Sequence, residues 1–228
     1  MPNKTSIILA SNEPSSEAIR PLINELTQRL DAAPHIDLTV IPSFYDLSEN
    51  SEEVVRIRSL QGTVLVLTTL FPRSAFWTLQ GLGTEGARDD ESAPTNWRFV
   101  DLKECDSTDA VLKIVEQASE AVIPECDPAE QTLVAESNPS KQETRWYPVI
   151  DFERCVQCLE CLNFCLFGVY GVTEEGGILI EQPDACRDGC PACSRICPSG
   201  AIMFPKHDDP AIAGDERIEP DALKLDLS

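Results

Sequence analysis

The sequence predicts an α/β protein, with a doubly wound parallel sheet of about four strands followed by a small α+β unit organised by cysteines. Two observations predict it. Over the first ~125 residues, short apolar runs alternate with segments whose apolar residues recur at three- and four-residue steps, the strand and helix signatures respectively. Beyond them, eight of the ten cysteines fall between Cys155 and Cys197, a density that ordinary core packing does not require.

Ser6–Ala10 (SIILA) is a short apolar run suited to a buried parallel strand. From Ser16 to Leu30 the residues Ile19, Leu22, Ile23, Leu26 and Leu30 share one helical face, with Pro14 and Ser15 marking the start. Ile36–Ile41 alternates as an edge strand does, and Val54, Val55, Ile57 and Leu60 give Ser51–Leu60 a helical face. Thr63–Leu70 (TVLVLTTL) is the most apolar run and is expected to be the central strand. A short helix over Ser74–Gln80, a strand over Trp97–Leu102 and a helix over Thr108–Val122 complete the alternation.

In such a sheet, ligands bind outside the carboxyl ends of the strands where the winding direction reverses. The loops to inspect are therefore Ser11–Ser16, Ser43–Asn50, Thr69–Ser74 and Lys103–Ser107. The first offers hydroxyls to a flavin phosphate, but it lacks glycine and carries Glu13, which repels one. Phe71-Pro72-Arg73-Ser74 presents a cation near Phe76 and Trp77, either as a ligand or partner site or as ordinary surface and core. Residues Gly81 to Gly86 satisfy G-x-G-x-x-G, yet they follow a helix-like segment and precede a polar stretch. That fingerprint has meaning only between a strand and the helix it opens, so a flexible loop is expected there.

The 228 residues carry a formal net charge of −21. Acidity on this scale disfavours nucleic acid and anionic membrane surfaces. It favours a protein partner with a basic docking patch, and it also keeps a chain soluble. The N-terminal segment has one lysine and four consecutive apolar residues, too few for a signal peptide. No apolar run reaches the ~18 residues of a membrane span, and a reducing, cytoplasmic location is expected.

The cysteines read CVQCLECLNFC and, after a loop, CRDGCPACSRICP. They supply Cys155, Cys158, Cys161 and Cys165, then Cys186, Cys190, Cys193 and Cys197. Thiolates two residues apart can bend around one small inorganic cube, whereas structural zinc prefers short pairs across a longer loop. Disulfides need an oxidising compartment. The spacing itself shows two four-thiolate sets. Cys105 and Cys126 lie outside the motif and read as ordinary small residues.

The C-x2-C-x2-C-x3-C run resembles the bacterial-type ferredoxin domain with two [4Fe-4S] clusters, in which the fourth cysteine of one run ligates the other cluster. The resemblance covers residues 145–206. It implies that Cys155, Cys158, Cys161 and Cys197 hold one cluster and that Cys165, Cys186, Cys190 and Cys193 hold the other. Two departures are visible: three residues separate Cys186 from Cys190, and Leu166 stands where proline usually follows the fourth cysteine. The N-terminal half resembles flavodoxin-like and chelatase-like domains at fold level only. Chelatases hold metal through histidines at strand ends, and this half has His35 alone.

The expected organisation is an α/β domain over 1–123, a proline-containing linker over 124–144, a ferredoxin-like domain over 145–206 and an acidic tail over 207–228. Within the third part, Trp146–Phe152 is expected to pair with Ala201–Pro205. Val169–Thr173 and Ile178–Glu181 should form a hairpin around Glu174–Gly177. Phe164, Phe167, Tyr170 and Phe204 are expected to wall the clusters from water. The leading expectation is an electron-transfer protein with no catalytic residues of its own. The alternatives are a ferredoxin-dependent oxidoreductase whose α/β half binds substrate or cofactor, and a redox sensor or scaffold.

Overall fold

The computed structural model describes residues 5–13, 16–119 and 145–218. The expected linker and Cys126 lie outside the described residues. The described chain groups into two units. One holds the residues up to Thr69 and those from Leu82 to 119; the other holds Leu70–Gly81 and the residues from 145 onward.

The first unit opens with β1 (Thr5–Ala10), α1 (Arg20–Asp31), β2 (Ile36–Ile41), α2 (Glu52–Arg58) and β3 (Gly62–Thr68). Helix α3 (Pro72–Gly81) belongs to the second unit, and the chain then returns to the first through β4 (Ala87–Arg88), β5 (Thr95–Asp101) and α4 (Thr108–Ser119). All strands pair in parallel in the order β2-β1-β3-β5-β4. The α/β expectation therefore holds, and β2 is an edge strand as its alternation predicted. The two-residue β4 adds a fifth strand too short to leave a periodic signal.

Burial explains the strands. Ile7, Leu9, Leu65 and Leu67 pack with Ile23, Leu26 and Leu30 of α1 and with Val111, Leu112 and Val115 of α4. Ile8, Val64 and Val66, on the opposite pleat, are fully buried too, which is why these strands read as continuous apolar runs. Helix ends follow local chemistry. The Ser51 hydroxyl accepts from the Val54 N–H, Glu52 and Glu53 occupy the first turn of α2, and Arg56 and Arg58 lie in its last. This charge order complements the helix dipole and stabilises the helix.

The glycine-rich segment has a structural use. Gly86 has φ +127°, and a Cβ there would lie 2.3 Å from the Thr95 carbonyl oxygen and 2.8 Å from Trp97 Nε1. The Trp97 Nε1–H donates to the Glu85 carbonyl at 3.1 Å. Backbone packed this closely on β5 requires a residue without a side chain.

The second unit continues with β6 (Val149–Ile150), α5 (Glu160–Phe164), β7 (Tyr170–Val172), β8 (Ile178–Ile180), α6 (Ala192–Ile196), β9 (Ile202–Met203) and α7 (Pro210–Ala213). Strand β6 pairs with β9 and β7 with β8, both antiparallel. The hairpin and the terminal pairing are as expected. The first strand is shorter than Trp146–Phe152, since Pro148 has no N–H to donate. Two features fall outside a simple division along the chain. Helix α3 groups with the second unit, and Ile212, within the stretch expected to be a tail, is fully buried. Asp209 caps α7 by accepting from the Ala211 N–H, and Gly214 (φ 106°) ends it.

Gly86→Ala should lower the unfolding free energy by about 2 kcal/mol or more, from strain and overlap together. Urea unfolding followed by circular dichroism measures it, and unchanged stability would contradict the close packing of this segment on β5.

Candidate metal centre

The first cysteine run leaves β6 in a tight loop. Asp151 initiates it: its side chain accepts from the Glu153 N–H at 2.9 Å and the Arg154 N–H at 3.1 Å. Its carbonyl accepts from the Cys155 N–H at 3.0 Å. Gln157 and Leu159 have φ of 56° and 61°, a left-handed conformation that costs a non-glycine residue about 1–3 kcal/mol. These two residues alternate with Cys155, Cys158 and Cys161, so the backbone curls and turns the thiols to one side. Gln157 is anchored where its Oε1 accepts from the Ile178 N–H at 2.8 Å.

A cavity opens on that side. Its lining includes Cys155, Cys158 and Cys161 from the first run and Cys197 from the second, with Ile150, Leu159, Ile178, Ala201 and Ile202 as apolar walls. Cys197 arrives through the β6–β9 pairing, which continues beyond β6 as the Asp151 N–H donates to the Ala201 carbonyl at 2.8 Å. The Ala201 N–H in turn donates to Cys197 Sγ at 3.3 Å, a bond that stabilises a thiolate.

The other four thiols form a second neighbourhood. Cys193 feels the charges of Cys186, Cys165 and Cys190, and Cys186 feels those of Cys190 and Cys165. Cys165 thus lies within electrostatic reach of thiols of the second run. The extra residue between Cys186 and Cys190 is absorbed in a turn: Gly189 has φ 70°, and the Cys190 N–H donates to the Arg187 carbonyl at 3.1 Å. The Trp146 Nε1–H donates to the Cys190 carbonyl at 3.2 Å, and the Trp146 ring stacks on Phe204 at 5.1 Å. Among the described residues, no three His, Cys, Asp or Glu side chains are gathered as around a single metal ion.

Burial above all raises several thiols, and neighbouring sulfurs add to it, against the Leu162 N–H at Cys161 and the Tyr170 hydroxyl at Cys193. Cys161 and Cys186 are each raised to about 11 and Cys193 to about 12. The Tyr170 hydroxyl beside Cys193 is pushed upward by burial and then by Cys193, and it stays protonated.

The expected aromatic wall is half correct. Tyr170 and Phe204 are buried, whereas Phe164 and Phe167 are 49% and 40% exposed. Phe164 ends the short α5, and the turn after Cys165 runs outward, leaving Leu166 92% exposed. Phe152 and Val156 are exposed beside the first run.

Two loops read from the sequence have inward roles. Glu13 is buried, where its carboxylate accepts from the Thr68 hydroxyl and, at 2.9 Å, from the Thr69 N–H. It sits between the ends of β1 and β3, where the winding reverses, and it takes the N–H that an anionic ligand would use. Arg73 is also buried and paired with Asp151, Nε to Oδ2 at 2.6 Å. Burial draws its pKa down and Asp151 opposes the shift, leaving the guanidinium charged. It is therefore no surface cation awaiting a ligand. Asp151 carried no sequence signal, because its partner lies 78 residues away.

No family model matches the chain. Over 80 residues it is 35% identical to an uncharacterized ferredoxin of Methanocaldococcus jannaschii, covering 35% of this chain and 54% of the relative. Over 55 residues it is 40% identical to the pyruvate synthase subunit PorD of the same organism, covering 24% of this chain and 62% of the relative. These matches support a ferredoxin-type domain. The chain spans between about half and three-fifths of these curated relatives. A ferredoxin-type domain binds iron and sulfide through cysteine thiolates, and the cavity fits such a group through its four thiols, apolar walls and an N–H directed at sulfur. No helix among the described residues is long and apolar enough to cross a membrane.

Metal loading must remove the raised thiol protons, so acid competes with metal. Iron transfer to a chelator should speed up as pH falls from 9 to 6, the apparent affinity dropping about tenfold per pH unit for each proton displaced. Release independent of pH would contradict this electrostatic description.

Proposed function

We propose that this chain is an electron-transfer protein carrying two [4Fe-4S] clusters. Cys155, Cys158, Cys161 and Cys197 hold the first, and Cys165, Cys186, Cys190 and Cys193 hold the second. The observation that supports this reading best is the place of Cys197 beside the thiols of the first run. Cys197 lines the cavity of the first run, while Cys165 neighbours the thiols of the second. Two clusters each fed by both runs need such an exchange of fourth thiols.

When bound, each cluster takes up and returns one electron. The residues around it then have three tasks. The thiolates fix it, the Ala201 N–H stabilises charge on Cys197, and Ile150, Ile178 and Ile202 keep water from its inner side. The Tyr170 hydroxyl brings a proton beside Cys193. Exposed residues on both runs, Val156 on the first and Arg187 on the second among them, leave an outer edge that a partner can approach. The partner is a redox protein with a basic docking patch facing a chain of net charge −21. The likeness to PorD favours a redox enzyme such as pyruvate synthase.

Serine variants test the ligand sets. Cys158→Ser and Cys197→Ser should alter the same electron paramagnetic resonance (EPR) signal. Cys193→Ser and Cys165→Ser should alter the other, with iron falling by up to about half in each. Full iron and unchanged spectra in all four would remove the cluster assignment. Matching changes in Cys197→Ser and Cys193→Ser would remove the crossed pairing.

A further inference from the structure

We infer that Arg73 is a positioning residue that raises the reduction potential of the centre held by Cys155, Cys158, Cys161 and Cys197, acting through the Gly200–Ala201 peptide. The inference rests on the ligand set proposed above.

The side chain of Arg73 is 5% exposed and its guanidinium is spread over two acceptors. Nε donates to Asp151 Oδ2 at 2.6 Å and Nη2 donates to the Gly200 carbonyl at 2.7 Å. The same peptide unit carries the Ala201 N–H, which donates to Cys197 Sγ at 3.3 Å. A cation on the oxygen end of a peptide draws electron density from its nitrogen end, so the N–H becomes a stronger donor. Hydrogen bonds to cluster sulfur are a main determinant of potential, because they stabilise the extra negative charge of the reduced state. The guanidinium charge, in surroundings that exclude water, acts in the same direction.

The rest of the contact holds this relay in place. Gly200 has φ 60°, which turns its carbonyl toward Arg73 while the next N–H faces the sulfur. Asp151 orients the guanidinium with one oxygen and caps the Cys155 loop with the other. Arg154 Nε also lies 3.7 Å from Asp151 Oδ2, and Glu216 contributes a favourable charge to Arg73. Only Arg73, among the described residues, joins the Asp151 carboxylate to the Gly200 carbonyl. A lysine ammonium keeps the charge but lacks the planar fork that spans both acceptors.

The test is an EPR-monitored redox titration of the full chain and its Arg73→Met and Arg73→Lys variants, with signals assigned through Cys158→Ser and Cys193→Ser. In Arg73→Met the reduction equilibrium of the centre at Cys158 should fall at least tenfold, about 59 mV for one electron. The centre at Cys193 should shift by less, and Arg73→Lys should lie between wild type and Arg73→Met. If Arg73→Met does not accumulate folded, the lysine variant decides, and a fall confined to the Cys158 centre supports the relay. Unmoved potentials with both clusters retained, or equal shifts in both centres, would overturn it. A wild-type chain without two cluster signals would instead overturn the ligand reading beneath it.

Discussion

The antiparallel pairing of Val149–Ile150 with Ile202–Met203 brings Cys197 to the first cysteine run, although 35 residues separate Cys161 from Cys197 in the chain. Two residues per strand make a weak ladder, and an isolated pair of strands is marginal in water. The pairing persists because other interactions converge on it. The Asp151 N–H extends it to Ala201, the Ser194 hydroxyl donates to the Ile202 carbonyl at 2.7 Å, and Phe204 behind it is fully buried. The approach of Cys197 to the first run depends on this registration.

The buried Arg73–Asp151 pair is the second constraint. An ion pair of this kind loses hydration on both partners and is weak evidence for stability by itself, but removing one partner strands a buried charge. Its value is geometric. One guanidinium fixes the start of the Cys155 loop through Asp151 and the turn after Cys197 through Gly200. A unit with so small a hydrophobic cluster gains further order when metal links its loops, since metal-binding free energy is then also folding free energy. For the centre proposed above, the folding of these loops and its loading would be two aspects of one equilibrium.

What was legible in the sequence follows the range of the interactions. Periodicity reports local environment, so β1, β2, β3, α1 and α4 could be read within a few residues, and the burial of β1 and β3 on both faces agrees with the parallel sheet. Cysteine spacing reports ligand chemistry, and it pointed to the two runs directly. Contacts between distant residues leave no such trace. Arg73 read as a cation after the central strand, and nothing nearby indicated Asp151 or the Gly200 carbonyl. Glu13 read as a charge that repels a phosphate, whereas its carboxylate turns inward to Thr68 and Thr69. Phe164 and Phe167 misled for a different reason. Aromatic residues next to ligating cysteines suggest shielding, but α5 is only five residues long and the turn after it runs outward.

In the function proposed for this chain, two thiolate sets hold two cubane clusters for electron transfer. Anaerobic purification followed by iron and sulfide analysis, with EPR after dithionite reduction, tests it most directly. About eight irons and eight sulfides per chain are expected, with signals broadened by interaction between two reduced clusters. Zinc in place of iron, with no EPR signal on reduction, would contradict it and leave a metal-stapled binding protein.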